Sequence, residues 1–169
     1  GVYMSDWSDI GECHDNDGIH RGSGRIYKIA YGSPVKPRIS DIATLSNDQL
    51  VEAQGWMNDW HARQARLVLQ ERAAKGVNLD AARRSLRAWF ASETNVPGTL
   101  RALWALHATG GADNSFLMPL LNHENEHLRV WAIQLLMDQP ARPAALPSEF
   151  ARMAAQDKSG LVLSFLASA

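Results

Sequence analysis

The chain of 169 residues contains one cysteine, Cys13, and its formal net charge is only −1. A single cysteine excludes an internal disulfide, a cysteine-based zinc cluster and a covalently attached c-type haem. The near-zero charge gives no general electrostatic attraction to nucleic acid or to anionic membranes. No apolar run approaches the roughly 20 residues that span a bilayer. The sequence therefore predicts neither a nucleic-acid partner nor a transmembrane segment in this chain.

The hydrophobic residues that are present, 46% of the chain, are sufficient to bury a core. The first 31 residues differ from the others, because two short β-type runs, Val2–Ser5 and Arg25–Tyr31, flank a long polar loop. A two-stranded hairpin by itself is marginally stable in water. We therefore expect this hairpin to belong to a larger sheet, and the chain to be a piece of a longer protein.

The region after residue 40 is predicted to be helical. Two prolines within residues 32–39 end the strand and prevent a helix until they are passed, so this segment is predicted to be a linker. Ser46 and Gln49 match a capping box at the start of the first helix. Further helix starts are indicated by Asn58 or Asp59, by Asn78, by Pro97 as a first-turn residue, and by Asn125.

The predicted helices in residues 40–169 resemble one another. Three of them carry an arginine in their first turns, followed by small and large apolar residues: Arg63, Arg101 and Arg129. Their irregular spacing lies within the range of helical-hairpin repeats, in which neighbouring pairs stack because no single pair can bury its apolar stripe. The predicted fold is therefore mainly α, an α-solenoid of about four helical hairpins. We expect all five later tryptophans to pack inside it: Trp56, Trp60, Trp89, Trp104 and Trp131.

Five stretches of the chain together resemble one known protein family. Residues 5–15 (SDWSDIGECHD) and 20–29 (HRGSGRIYKI) resemble the end of the β-propeller in large membrane-bound dehydrogenases of planctomycetes and related bacteria. Residues 58–66 (NDWHARQAR), 100–111 (LRALWALHATGG) and 126–133 (EHLRVWAI) resemble the helical-repeat region that follows the propeller in the same proteins. The resemblance covers nearly the whole chain, in the order that the family has.

The resemblance implies that the chain is the junction between an incomplete β-propeller blade and HEAT-like repeats. Residues 1–31 are then the terminal propeller strands with their polar loop, residues 32–39 are the linker, and residues 40–169 are HEAT-like hairpins truncated at the C-terminus. The family joins a propeller similar to sugar dehydrogenases of the glucose/sorbosone type to such repeats. It often adds a C-terminal cytochrome c module.

The same resemblance implies a fragment of a periplasmic or exported, membrane-associated oxidoreductase that acts on sugars or alcohols. The fragment is not expected to be active alone. A quinone-type cofactor or Ca²⁺ is implied for the intact propeller, haem c only for the cytochrome module, and no cofactor for this chain. The implied partners are the remaining propeller and cytochrome-like domains of the parent chain, or another protein on the solenoid surface.

The resemblance also implies catalytic residues in the polar loop. Sugar-oxidising propellers place a histidine base and arginines around a quinone at the mouth of the central channel. His14 or His20 is the candidate base that removes a hydroxyl proton, and no motif chooses between them. Arg21 or Arg25 is the candidate that stabilises the developing oxyanion or the quinone oxygens. These roles apply to the intact protein only.

The polar loop carries four aspartates as candidate Ca²⁺ ligands: Asp6, Asp9, Asp15 and Asp17. An EF-hand is excluded, because Cys13 and Gly24 stand where its first and last oxygen ligands belong. The alternative is a loop held together by Asx turns and Asp–Arg pairs, without a metal.

Residues 123–127 (HENEH) match the H-E-x-x-H signature of zinc peptidases, in which two histidines on one helix share the metal and the glutamate activates water. Here His123, Glu124 and His127 fall across a predicted turn, because Asn125 is predicted to cap the next helix. The zinc peptidase is therefore an alternative to a simple turn between repeats. For residues 40–169 the leading prediction is a scaffold, or a stand-alone HEAT-like module, that presents a docking surface to a protein partner.

Overall fold

The structure, a computed structural model, describes residues 2–6, 25–33 and 41–169. Helices make up most of this part of the chain. The chain divides into two compact units, residues 1–40 and 41–169. The first unit contributes a two-stranded antiparallel sheet, and the second contributes all of the described helices. The mainly α fold class is therefore confirmed. Within the described residues, no helix is both long enough and apolar enough to cross a membrane.

The small sheet consists of β1 (Val2–Ser5) and β2 (Ile26–Ile29), which pair antiparallel with Val2 opposite Ile29. β1 has the predicted bounds, and β2 is shorter at both ends than the predicted Arg25–Tyr31. All residues of the two strands are exposed. The larger sheet and the propeller blade stay predictions.

The second unit contains eight α-helices among its described residues: α1 (Asn47–Glu52), α2 (Asp59–Ala74), α3 (Asp80–Ser92), α4 (Val96–Ala108), α5 (Asn114–Leu117), α6 (Glu126–Met137), α7 (Leu146–Gln156) and α8 (Gly160–Leu166). Short 3-10 helices precede α1 (Ile42–Thr44), follow it (Ala53–Gly55) and follow α5 (Met118–Asn122). Pro119 is the second residue of the 3-10 helix that follows α5. It lacks the N–H that would continue the α-helical hydrogen bonding, so α5 ends before it.

Side chains cap α1, α2 and α6 at the predicted positions. The predicted cap of α3, Asn78, lies one residue before the observed cap, Leu79, and its Oδ1 accepts the backbone N–H of Asp80 (2.9 Å). In the capping box of α1, the backbone N–H of Gln49 donates to Ser46 Oγ (3.2 Å), and the backbone N–H of Ser46 donates to Gln49 Oε1 (2.9 Å). Asn58, rather than Asp59, caps α2, and Asn125 caps α6. Each cap satisfies an N–H that the helix itself leaves unpaired, so these starts are determined locally.

Aliphatic side chains form one continuous core from α3 to α8. Its fully buried members include Leu86 on α3, Leu103 on α4, Ile133 on α6 and Val162 on α8. Burial of one such side chain contributes about 1.5–3 kcal/mol. Buried alanines on α2, α4 and α6 allow these helices to pack closely: Ala62, Ala65, Ala102, Ala105 and Ala132.

Arg129 ties the start of α6 to the turn before α8. Its Nε and Nη2 donate to the two carboxylate oxygens of Asp157 (2.8 and 2.9 Å), and its Nη1 donates to the carbonyl oxygens of His123 (2.8 Å) and Glu124 (2.9 Å). Asp157 also accepts the backbone N–H of Ser159 (2.9 Å). Arg129 therefore has a structural role, because it joins two turns that are distant in sequence.

One packing prediction is wrong, because the Trp60 side chain is 59% exposed. The inward face of α2 carries Ala62, Ala65 and Leu69. Trp60 lies about two and a half turns before Leu69 and is therefore on the opposite face of a helix with 3.6 residues per turn. It packs edge-on against His61, with ring centroids 5.2 Å apart. The other four tryptophans are half-buried.

Candidate functional site

A groove of about 960 Å³ lies on the helical unit and is lined by α2, α4, α6 and the cap of α6. Its lining residues are Asp59, Arg63 and Arg66 of α2, Val96, Pro97, Leu100, Arg101, Trp104 and His107 of α4, and Asn125, His127, Trp131 and Leu135 of α6 with its cap. Within each helix most of these residues recur every three or four positions, so they share one face. We call this site the α2–α4–α6 groove.

The apolar part of the groove is built around two tryptophans. Trp104 and Trp131 pack edge to face, with ring centroids 4.9 Å apart and planes inclined at 69°. Both rings are half-buried, and Leu100 and Leu135 line the groove beside them. Such edge-to-face pairs are a preferred aromatic geometry that holds both rings in place. The groove therefore presents a preformed aromatic and aliphatic surface.

The polar part of the groove carries three arginines and one carboxylate. Arg63 Nε donates to Asp59 Oδ2 (2.5 Å), and Arg101 Nη2 donates to Asp59 Oδ1 (3.1 Å). The hydrogen bond from Arg63 and the positive charges around it hold the pKa of Asp59 below its usual value. Asp59 is therefore ionised at neutral pH, and both of its oxygens are occupied.

Arg101 is held by backbone as well as by Asp59. Its Nη1 donates to the carbonyl oxygens of Gln54 (3.3 Å) and Trp56 (3.2 Å), which lie in the segment before α2. Its side chain is 22% exposed. Because these bonds use both terminal nitrogens, Arg101 fastens α4 to the start of α2 and is already engaged within the fold.

Arg66 is the remaining arginine of the groove, and its charge is not paired. Its guanidinium lies over the ring of Trp104, 5.0 Å from the ring centroid. Within residues 41–169 it makes no hydrogen bond or ion pair. Burial lowers the pKa of Arg66, and the negative charge of Asp59 opposes that shift. Arg66 is therefore a half-buried cation that stacks on an aromatic ring without an acceptor.

The H-E-x-x-H motif does not form one helical face. His123 follows the 3-10 helix, and its Nδ1 accepts the backbone N–H of Asn125 (3.0 Å). Asn125 caps α6, and His127 lies in the first turn of that helix. The predicted turn between the two histidines is confirmed, and this geometry does not support the zinc-peptidase alternative. Within the described ranges, no three His, Cys, Asp or Glu side chains are grouped to hold a metal.

Most of the candidates in the polar loop lie outside the described residues: His14, His20, Arg21, Asp9, Asp15 and Asp17. The other two, Asp6 and Arg25, flank the strands of the hairpin. The backbone N–H of Asp6 donates to the Arg25 carbonyl (2.7 Å), and Arg25 Nη1 lies 3.9 Å from Asp6 Oδ2. This contact is one Asp–Arg pair of the kind predicted for a metal-free loop. The catalytic role of Arg25 and the Ca²⁺ role of Asp6 stay predictions.

The α2–α4–α6 groove is not among the sites predicted from the sequence. The sequence pattern assigns Trp104 and Trp131 to packing and gives no role to Arg66. A usable signal is present, since Arg63 with Arg66 on α2 and Arg101 with Trp104 on α4 have the same spacing of three residues. Comparison of the chain with protein-family models, curated proteins and solved structures finds no match. The groove brings together aromatic rings, aliphatic side chains, two histidines, one carboxylate and three guanidinium groups.

Proposed function

We propose that residues 41–169 act as a protein-docking module, a short α-solenoid of HEAT-like hairpins whose α2–α4–α6 groove binds a segment of a partner protein. The observation that carries this proposal is the unpaired cation of Arg66 beside the partly exposed pair Trp104 and Trp131. Tryptophan and arginine are the residue types that most often dominate the energy of protein interfaces. A stack of helical hairpins presents such side chains along one continuous surface.

The shape of the groove, rather than its size, favours a chain segment over a small metabolite. Its volume of about 960 Å³ lies within the range for small-molecule sites. The lining comes from three helices rather than from one enclosed cavity wall. A peptide segment is the ligand that would extend over all three helices at once.

In the longer protein that the sequence resemblance implies, the module is proposed to hold an electron-accepting domain beside a periplasmic, sugar- or alcohol-oxidising propeller. The support for this part is the resemblance of five stretches to the membrane-bound dehydrogenase family: residues 5–15, 20–29, 58–66, 100–111 and 126–133. The segment in the groove then belongs to another domain of the same parent chain or to its redox partner.

Peptide selection on the 169-residue chain tests the docking proposal. A display library of random twelve-residue peptides is panned on the wild type and on Leu100→Glu, which introduces a charge into the apolar part of the groove. Arg84→Glu is the matched control, because Arg84 is exposed on α3 and does not line the groove. Labelled peptides from the selection are then titrated by fluorescence anisotropy.

We expect peptides that bind the wild type and Arg84→Glu alike and lose at least about tenfold in affinity on Leu100→Glu. The docking proposal is wrong if the wild type enriches no peptides. It is equally wrong if the enriched peptides bind all three proteins with the same affinity, since binding then does not depend on the groove.

A further inference from the structure

We infer that Arg66 selects the bound segment through one side-chain carboxylate, so that the groove takes a segment in which an aspartate or glutamate stands beside large apolar residues. This inference rests on the proposed docking function and names the chemistry of its ligand. It follows from which groups of the groove are already engaged and which are not.

Two of the three groove arginines already share the one carboxylate of the groove. Asp59 accepts from Arg63 with one oxygen and from Arg101 with the other. Arg101 also donates to two backbone carbonyls. Arg66 is the one groove arginine for which residues 41–169 supply no acceptor. A ligand acceptor would therefore bind at Arg66.

The environment of Arg66 suits a carboxylate. A guanidinium held against an aromatic ring by a cation–π contact still offers N–H groups that match the two oxygens of a carboxylate. Trp104 provides this contact, with the guanidinium carbon 5.0 Å from the ring centroid. Because the Arg66 side chain is half-buried, an ion pair here is screened less than one on the open surface.

The charges of the groove attract an acidic residue. Three arginines outnumber the single carboxylate of Asp59 in its lining, so this part of the groove is net positive. A carboxylate carries one charge and can be held by the one guanidinium that has no acceptor among residues 41–169. Beside Arg66, the rings of Trp104 and Trp131 offer the surface for an apolar neighbour of the acidic residue.

The peptide library tests this inference on the wild type, on Arg66→Met and on Arg84→Met. Methionine keeps an apolar stem and removes the cation, and Arg84→Met makes the same change outside the groove. We expect an excess of aspartate or glutamate next to large apolar residues in the pools from the wild type and Arg84→Met. We expect the pool from Arg66→Met to lack that excess.

A double-mutant cycle then measures the contact itself. One glutamate-containing peptide from the wild-type pool and its Glu→Gln counterpart are titrated against the three proteins. The Glu→Gln change should weaken binding to the wild type and to Arg84→Met about tenfold or more, and binding to Arg66→Met less than about twofold. Circular dichroism establishes that each variant is folded, and Arg66→Gln replaces Arg66→Met if the latter is not.

The possible results separate the two proposals. Two results would overturn the role of Arg66 and leave the docking function in place. In the first, peptides bind in the groove but show no excess of aspartate or glutamate. In the second, the Glu→Gln change weakens binding to Arg66→Met as much as binding to the wild type. Tighter binding of a phosphoserine version of the peptide than of the glutamate version overturns the single-carboxylate specificity. Absence of any peptide whose binding depends on Leu100 overturns both proposals.

Discussion

The pair formed by Arg129 and Asp157 provides the sharpest test of what holds the helical unit together. The side chains are 16% and 9% exposed, and the two hydrogen bonds between them are 2.8 and 2.9 Å long. Asp157→Asn keeps the size of the side chain but places an amide N–H against an arginine N–H. Loss of one partner of a buried ion pair costs about 3–5 kcal/mol, and hydrogen bonds to charged groups contribute about 1.5–3 kcal/mol.

We expect the substitution to lower the free energy of unfolding by about 2–3 kcal/mol, at the low end of the range for buried pairs. The low end applies because Arg129 keeps its bonds to two backbone carbonyls, which share its charge. The introduced amide side chain also retains an oxygen that can accept the N–H of Ser159. The expected loss is still a large fraction of the stability of about 5–15 kcal/mol that is typical of a domain.

The effect of Asp157→Asn should depend on pH. Burial opposes the charge of Asp157, but the hydrogen bonds from Arg129 and from the Ser159 N–H outweigh it and hold the pKa of Asp157 below its usual value of 3.8. A carboxyl with a lowered pKa stabilises the fold when ionised, and this contribution is lost as the pH falls through the lowered pKa. The difference between wild type and variant should be constant near neutral pH and should shrink below about pH 3.8.

Urea unfolding of the 169-residue chain at fixed ionic strength, followed by tryptophan fluorescence and circular dichroism, measures this difference. Asp80→Asn is the matched control, because Asp80 is 61% exposed and pairs with Arg83 at 3.1 Å on the surface of α3. The control should cost less than about 1 kcal/mol. The reasoning is refuted if both substitutions cost the same, or if the cost of Asp157→Asn is as large at pH 3 as at pH 7.

Two further predictions concern single side chains and use the same urea measurement. Trp104 Nε1 is buried without a hydrogen-bond partner in the described part of the chain, so Trp104→Phe should change stability by less than about 1 kcal/mol, because the removed unsatisfied donor offsets the lost packing. Trp104→Phe should lower the free energy of unfolding less than Trp89→Phe does, because Trp89→Phe removes the hydrogen bond from Trp89 Nε1 to Glu93 (3.0 Å). Ser46→Ala should cost about 1 kcal/mol by removing the cap of α1, whereas Ser85→Ala, exposed within α3, should cost nothing.

Helix starts are predictable from the sequence because their cause is local. Ser46, Asn58 and Asn125 each bind an N–H two or three residues further along the chain, and that spacing is visible in the sequence. The start of α7 is harder to place from sequence, because α7 begins at Leu146 with Pro147 in its first turn. A proline can either precede a helix or occupy its first turn, so the residue type alone does not fix the boundary.

The candidate site is not predictable in the same way, because it depends on contacts between helices. The spacing of four residues between Asp59 and Arg63 is visible in the sequence, but nothing near Arg66 shows that Asp59 also accepts from Arg101, 42 residues away. The expectation that every tryptophan packs inside fails on α2, because helical periodicity puts Trp60 on the face opposite Leu69. Interhelical pairing determines which arginines remain available, and this pairing becomes visible only in the folded chain.

The repeated arginines nevertheless explain why the groove has its composition. Arg63 and Arg101 occupy corresponding positions on α2 and α4, and the residue three positions later is Arg66 in one helix and Trp104 in the other. Because α2 packs against α4, equivalent positions lie side by side, and the cation of Arg66 comes to rest over the ring of Trp104. Arg101 binds Asp59 and backbone within the same contact. The bonds of Arg101 to Asp59 and to backbone therefore hold α2 and α4 in the register that places Arg66 against Trp104.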